Sequence, residues 1–137
     1  MRFLAFGVAL LLLTSFSLSQ VLVQRFELGK YDYIIQLKKL YSHDDDADVT
    51  YYIVKSVRDN KELCSSIKLA ERGNKLFIQG AYRVNKGSLQ FTERYLYHRN
   101  EESSDSIVKT FTSNPKGALV LSKVTNYKHG KAAITSY

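Results

Sequence analysis

The chain has 137 residues, carries 20 Lys and Arg against 13 Asp and Glu, and contains one Cys, one Pro, ten Tyr and no Trp. That length suits a single domain. With 45% hydrophobic and 24% charged residues a disordered or fibrous chain is excluded, and one cysteine excludes a disulfide framework or a multi-cysteine zinc site. The chain opens with Met1-Arg2, a short basic start, followed by an unbroken apolar run with one Gly from Phe3 to Leu13. Ser17-Leu18-Ser19 then places small residues where a signal peptidase reads them. The run is shorter than the roughly 20 apolar residues a bilayer span needs. Residues 1–19 therefore read as a signal peptide and 20–137 as one secreted, extracellular domain with no transmembrane segment. The mature chain keeps 19 basic residues against 13 acidic ones, a net charge of +6. It contains no Asn-x-Ser/Thr acceptor for an N-glycan.

Leu28 to Tyr41 has apolar residues at Leu28, Tyr31, Ile34, Ile35, Leu37, Leu40 and Tyr41, spacing that suits a helix nearly as well as a strand. We read it as a strand. Val49 to Val57 is rich in β-branched and aromatic residues and alternates Val49, Tyr51, Ile53 against Thr50, Tyr52, Val54. After a turn at Arg58–Lys61, a second strand puts Leu63, Ser65, Ile67 and Leu69 on one face. Lys75 to Val84 aligns Leu76, Ile78, Tyr82 and Val84, with Gly80 marking a bulge or a close backbone approach. Asn85-Lys86-Gly87 signals a hairpin into Ser88–His98, where Leu89, Phe91, Tyr95 and Tyr97 alternate. Ser106–Ser113 and Ala118–Tyr127 are two more strands, joined by Asn114-Pro115-Lys116-Gly117, a turn with Pro second. His129-Gly130 turns into a last strand, Lys131–Tyr137. Strands recurring about every ten residues with short connections predict an all-β fold, an antiparallel meander forming a small sandwich or barrel.

Few residue patterns carry chemistry. Asp44, Asp46 and Asp48 have the one-three-five spacing of a calcium loop, but Val49 stands where the loop needs Gly and Lys55 where it needs a bidentate Glu. An EF-hand is excluded, and the cluster reads as a solvated loop beside a sheet edge; no metal or cofactor is expected. The histidines His43, His98 and His129 sit in no catalytic motif, and Glu93 has no carboxylate partner that sequence can name. We therefore read the protein as a non-enzymatic binding protein. Cys64, the odd cysteine, is a buried apolar side chain, a free thiol, or half of a disulfide-linked dimer; apolar Leu63 and Ile67 beside it favour burial.

Charge and aromatic content set the partner class. No acidic residue follows Asp105, whereas Lys109, Lys116, Lys123, Lys128 and Lys131 do, which suits polyanionic partners such as sulfated glycans, anionic lipid surfaces or microbial envelopes, and equally suits lysines that blunt sheet edges and confer solubility. The lysines are spaced singly, unlike a nucleic-acid patch, so no nucleic acid is expected. Eight tyrosines fall on predicted strands, and adjacent Tyr51 and Tyr52 must point to opposite faces, so one tyrosine row lies off the core. Aromatic faces suit sugar rings and cross-strand packing alike.

Gly80-Ala81-Tyr82, then Gly87, then Tyr95 resembles the chitin-binding segment of arthropod cuticle proteins of the Rebers–Riddiford type over residues 79–98. The Gly80-to-Gly87 interval is shorter than that family's, and Leu96-Tyr97-His98 replaces its terminal Ala-Asp. The resemblance implies that Tyr82 and Tyr95 are the sugar-facing aromatics. The expected site is Tyr82 and Tyr95 with flanking Arg83, Arg94 and His98, and the expected ligand an extracellular polysaccharide or matrix surface. Two other readings stand beside it: a cationic host-defence effector working on anionic surfaces through its basic C-terminal half, and a small barrel carrying an apolar ligand.

Overall fold

The computed structural model describes residues 20–42, 47–72, 76–96 and 105–137. The segment read as a signal peptide, and His43, Asp44, Asp45, Asp46, Tyr97 and His98, lie outside the described residues. Nine strands follow in chain order: β1 Gln20–Leu28, β2 Tyr31–Ser42, β3 Ala47–Ser56, β4 Glu62–Arg72, β5 Leu76–Asn85, β6 Ser88–Leu96, β7 Ser106–Ser113, β8 Leu119–Lys128 and β9 Lys131–Ser136. Each pairs antiparallel with the next, giving one sheet in the order β1 to β9. The fold is all-β, and no helix among the described residues is long and apolar enough to cross a membrane.

Two corrections concern the first strands. Leu28–Tyr41 is not one strand: Leu28 pairs with Tyr31 across a two-residue turn, Gly29-Lys30, so Leu28 ends β1. Gly29 holds φ +61° at the first central position, the place a tight mirror-image hairpin turn reserves for glycine. β1 itself was not expected, because Val21-Leu22-Val23 continues the apolar character of the segment read as a signal peptide. The second correction is the inward face of β4. Cys64 and Ser66 turn to the interior, while Ser65 is exposed and only Leu63, helped by the irregularity between Val54 and Lys55, also reaches the core. Register decides it: Val54 and Tyr52 point inward, and their partners are Cys64 and Ser66.

The sheet folds over its own core. β4 pairs with β5 only between Leu69–Arg72 and Leu76–Gln79, then leaves it. At Gly80 the Ile67 carbonyl oxygen occupies the space of a side chain, 1.6 Å from where a Cβ would sit. β4 thus crosses the inner face of β5, and the half-sheet β1–β4 turns to face β5–β9. Phe26, Leu28, Tyr33, Ile35, Tyr52 and Val54 from the first half meet Leu89 and Phe91 from the second. The Tyr52 ring lies edge-on to Tyr82 at 5.1 Å and stacked on Phe91 at 6.1 Å, and Phe91 meets Phe111 edge-on at 6.1 Å. Burying each such side chain contributes about 1.5–3 kcal/mol.

Side-chain hydrogen bonds clasp the two halves at the far side. The buried Tyr33 hydroxyl donates to the Gly117 carbonyl at 2.9 Å, Tyr31 to that of Pro115, and Tyr82 to Gln24 Oε1 at 2.8 Å. Their acceptors lie on β1 or in the β7–β8 turn, about 60 to 85 residues away along the chain. That turn forms as its sequence requires. Gly117 N–H donates to the Asn114 carbonyl, and Asn114 Oδ1 accepts from Lys116 and Ala118 N–H groups.

Candidate functional site at the sheet corner

The crossing at Gly80 creates two environments, one on each side of β5. Inside, Glu93 stands opposite Gly80 in register and is only 6% exposed. A carboxylate in an apolar core must be fully engaged, and this one is. Its Oε1 accepts from Ser66 Oγ at 3.0 Å and from Ile67 N–H at 3.4 Å, its Oε2 accepts from Tyr95 OH at 2.9 Å, and Lys109 Nζ approaches to 3.9 Å. Glu93 therefore ties β4 to β6 across β5 and fixes the main chain at Ile67. The residue that sequence could not pair with another carboxylate is a corner clamp.

Outside, the same divergence opens a groove of about 420 Å3 between β4, β5 and β6. Lys68 and Leu69 form one wall, Thr92 and Arg94 the other, and Gln79, Gly80 and Ala81 the floor. Register aligns the parts: Leu69 pairs with Gln79, Gln79 with Arg94, and Ala81 with Thr92. Lys68 follows directly on the residue that Glu93 holds. Two cationic side chains from different strands thus flank one groove, with no carboxylate among its described lining residues. Amide and hydroxyl groups stand between them, and Leu69 and Ala81 supply apolar floor.

The expected site is divided by the sheet. Tyr82 and Tyr95 point inward, Tyr82 packed against the core and bonded to Gln24, Tyr95 bonded to Glu93. Alternation sends Arg83 and Arg94 outward, where both are exposed. Arg83 pairs with Gln90 and Arg94 with Gln79, four positions apart along the sheet, about 13 Å. Of the expected residues only Arg94 lines the groove, and His98 lies outside the described residues. Lys68 and Gln79 carried no motif; the glycine that admits β4 was their only sequence signal.

The C-terminal lysines are dispersed. Lys109 turns inward to Glu93, Lys116 sits in the β7–β8 turn, Lys123 is exposed on β8, and Lys128 and Lys131 flank the β8–β9 turn. Burial, with a smaller effect of Glu62, pushes the Cys64 thiol up to about 12, leaving it almost wholly protonated at neutral pH. A second, smaller cavity of about 170 Å3 lies beside Tyr95, Ile107, Asn126 and Lys128. No group of three or more His, Cys, Asp or Glu placed to hold a metal occurs among the described residues. No protein-family model, curated protein or solved structure was found to match the chain.

Proposed function

We propose that the protein is a secreted, non-enzymatic binding protein for an acidic extracellular polysaccharide, and that the corner groove takes one sulfated or carboxylated sugar unit. The observation that carries this reading is the pairing of Lys68 with Arg94 across a 420 Å3 groove, a volume within the roughly 300–1,000 Å3 of small-molecule sites. Arg94 offers planar, two-pronged donors for a carboxylate or sulfate, and Lys68 a compact charge facing it. Gln79 and Thr92 supply donors and acceptors for ring hydroxyls, and Leu69 and Ala81 an apolar floor for the C–H face of a sugar. Contact is carried by charge and amide groups rather than by the inward tyrosines.

The test is chromatography of the purified protein on heparin resin and on insoluble chitin, each eluted with rising salt. Retention on heparin is expected. Lys68→Ala with Arg94→Ala should weaken it about 10-fold or more, at roughly 1 kcal/mol per lost phosphate-like contact. The pair Lys39→Ala and Lys131→Ala removes equal charge elsewhere and should cost much less. Equal losses from the two pairs would refute a localised site. Retention on chitin that survives high salt and depends on Tyr82 would return the aromatic reading.

A further inference from the structure

A meander places every odd-to-even connection at one end of its sheet. The turns β1–β2, β3–β4, β5–β6 and β7–β8 therefore share an end, and each carries at least one exposed cation: Lys30, Arg58 with Lys61, Lys86, and Lys116. Side-chain contacts bring three of these turns together. Lys30 Nζ lies 5.6 Å and Arg58 Cζ 6.0 Å from the centre of the same Tyr31 ring. Arg58 donates to the Lys116 carbonyl at 3.4 Å, and Tyr31 donates to that of Pro115. The carboxylates of the β3–β4 turn are Asp59, held below its ordinary range by the Lys61 N–H, and Glu62; they leave the four turns cationic overall. Asp32, nearby, is paired with Arg25 at 2.8 Å. Exposed Val57 and Pro115 stand among the cations.

Like charges gathered around one ring repel, and an anionic surface relieves that repulsion. The charges come from four separate turns, so they are spread over the end of the sheet rather than along a line, and apolar side chains project among them. We propose that this turn end is a docking face for an anionic phospholipid bilayer, with the cations at the headgroups and Val57 and Pro115 at the interface. This face is separate from the corner groove and does not depend on it.

The experiment is co-sedimentation of the purified full chain with phosphatidylcholine vesicles, with and without about 30% phosphatidylserine, at low and physiological salt. Binding should require phosphatidylserine and weaken with salt. Each cation at the surface is worth about five-fold in partitioning, so Lys30→Ala with Lys116→Ala should reduce binding about 25-fold. Lys123→Ala with Lys131→Ala, equal in charge and remote from the turn end, should reduce it only a few-fold. Val57→Ser should weaken binding without changing its salt dependence. Lys30 and Lys116 lie in exposed turns, and Lys123 and Lys131 are exposed on β8 and β9, so both double variants leave the core intact, which circular dichroism checks. Absence of phosphatidylserine-dependent sedimentation, or equal loss from the two double variants, overturns the proposal. So does undiminished vesicle binding by a turn-end variant that has lost heparin binding, since the turn end would then serve a sulfated polymer. Groove variants Lys68→Ala and Arg94→Ala report on the other site alone.

Discussion

Replacing Gly80 by Ala probes the feature on which both the fold and the groove rest. The added methyl would sit 1.6 Å from the Ile67 carbonyl oxygen, 2.7 Å from its carbon and 3.0 Å from Lys68 Cα, all main-chain atoms that no rotamer change can move. Relief requires β4 to retreat by roughly 2 Å from the inner face of β5, since ordinary contact begins near 3.4 Å. That motion carries Ser66 and the Ile67 N–H away from Glu93, whose bonds to them are 3.0 and 3.4 Å long. Hydrogen bonds to a charged group contribute about 1.5–3 kcal/mol each, and forced overpacking costs about 1–3 kcal/mol. Allowing for the longer second bond, the change should cost about 4 kcal/mol. Against a domain stability of about 5–15 kcal/mol this is a large fraction. Urea unfolding followed by far-ultraviolet circular dichroism should show the midpoint falling by about 2 M at a typical slope. Gly87→Ala is the control: Gly87 holds φ +85° in open space, so only the local backbone preference is lost, about 1 kcal/mol. Ser66→Ala should add little to the Gly80 variant, because the bond it removes is already broken. A Gly80→Ala protein within 1 kcal/mol of the original, or full additivity with Ser66→Ala, would refute the crossing-strand account.

Four further outcomes follow from buried groups. With the Cys64 thiol pushed up to about 12 from an ordinary 9.0, its thiolate is about a thousand-fold scarcer in the folded protein, so modification by a disulfide reagent at pH 8 should be slow until denaturant is added. Because the folded state prefers the protonated thiol, that preference is fully present below about pH 9 and is lost as pH rises toward 12; burial acts in the same direction on Tyr33 and Tyr52. An unfolding series from pH 8 to 11 should show falling stability, less steep in Cys64→Ala. Tyr33→Phe leaves the Gly117 carbonyl without its buried donor, and should cost about 1–3 kcal/mol by urea unfolding. Gln36 Oε1 is buried without a partner among the described residues, so Gln36→Met should leave stability unchanged or raise it by about 1 kcal/mol.

The strands from β3 onward were legible because turn chemistry and alternation agree there. Asn114-Pro115-Lys116-Gly117 and Lys86-Gly87 lie in the connections where their backbone preferences put them, and Ile78, Tyr82 and Val84 share the inward face with Leu89 and Phe91. The β1–β2 hairpin was not legible because Leu28-Gly29-Lys30-Tyr31 has apolar flanks and a single glycine, so the apolar pattern ran through the turn. The face of β4 was misread because its register against β3, broken by two irregularities, turns Cys64 and Ser66 inward, and the buried Ser66 hydroxyl is satisfied by a carboxylate distant in sequence, Glu93. The groove escaped for a related reason. Lys68 and Arg94 meet only once β4 crosses β5, and Gly80 records that crossing without naming its partner strand.

Titration of isotope-labelled protein with a sulfated uronic-acid disaccharide, followed residue by residue in amide NMR spectra, tests the central functional claim most directly. Shifts should concentrate at Lys68, Leu69, Gln79, Ala81, Thr92 and Arg94, the residues around the corner groove, and disappear in the Lys68→Ala, Arg94→Ala variant. Shifts centred on other strands, or saturable binding that survives those two substitutions, would contradict it.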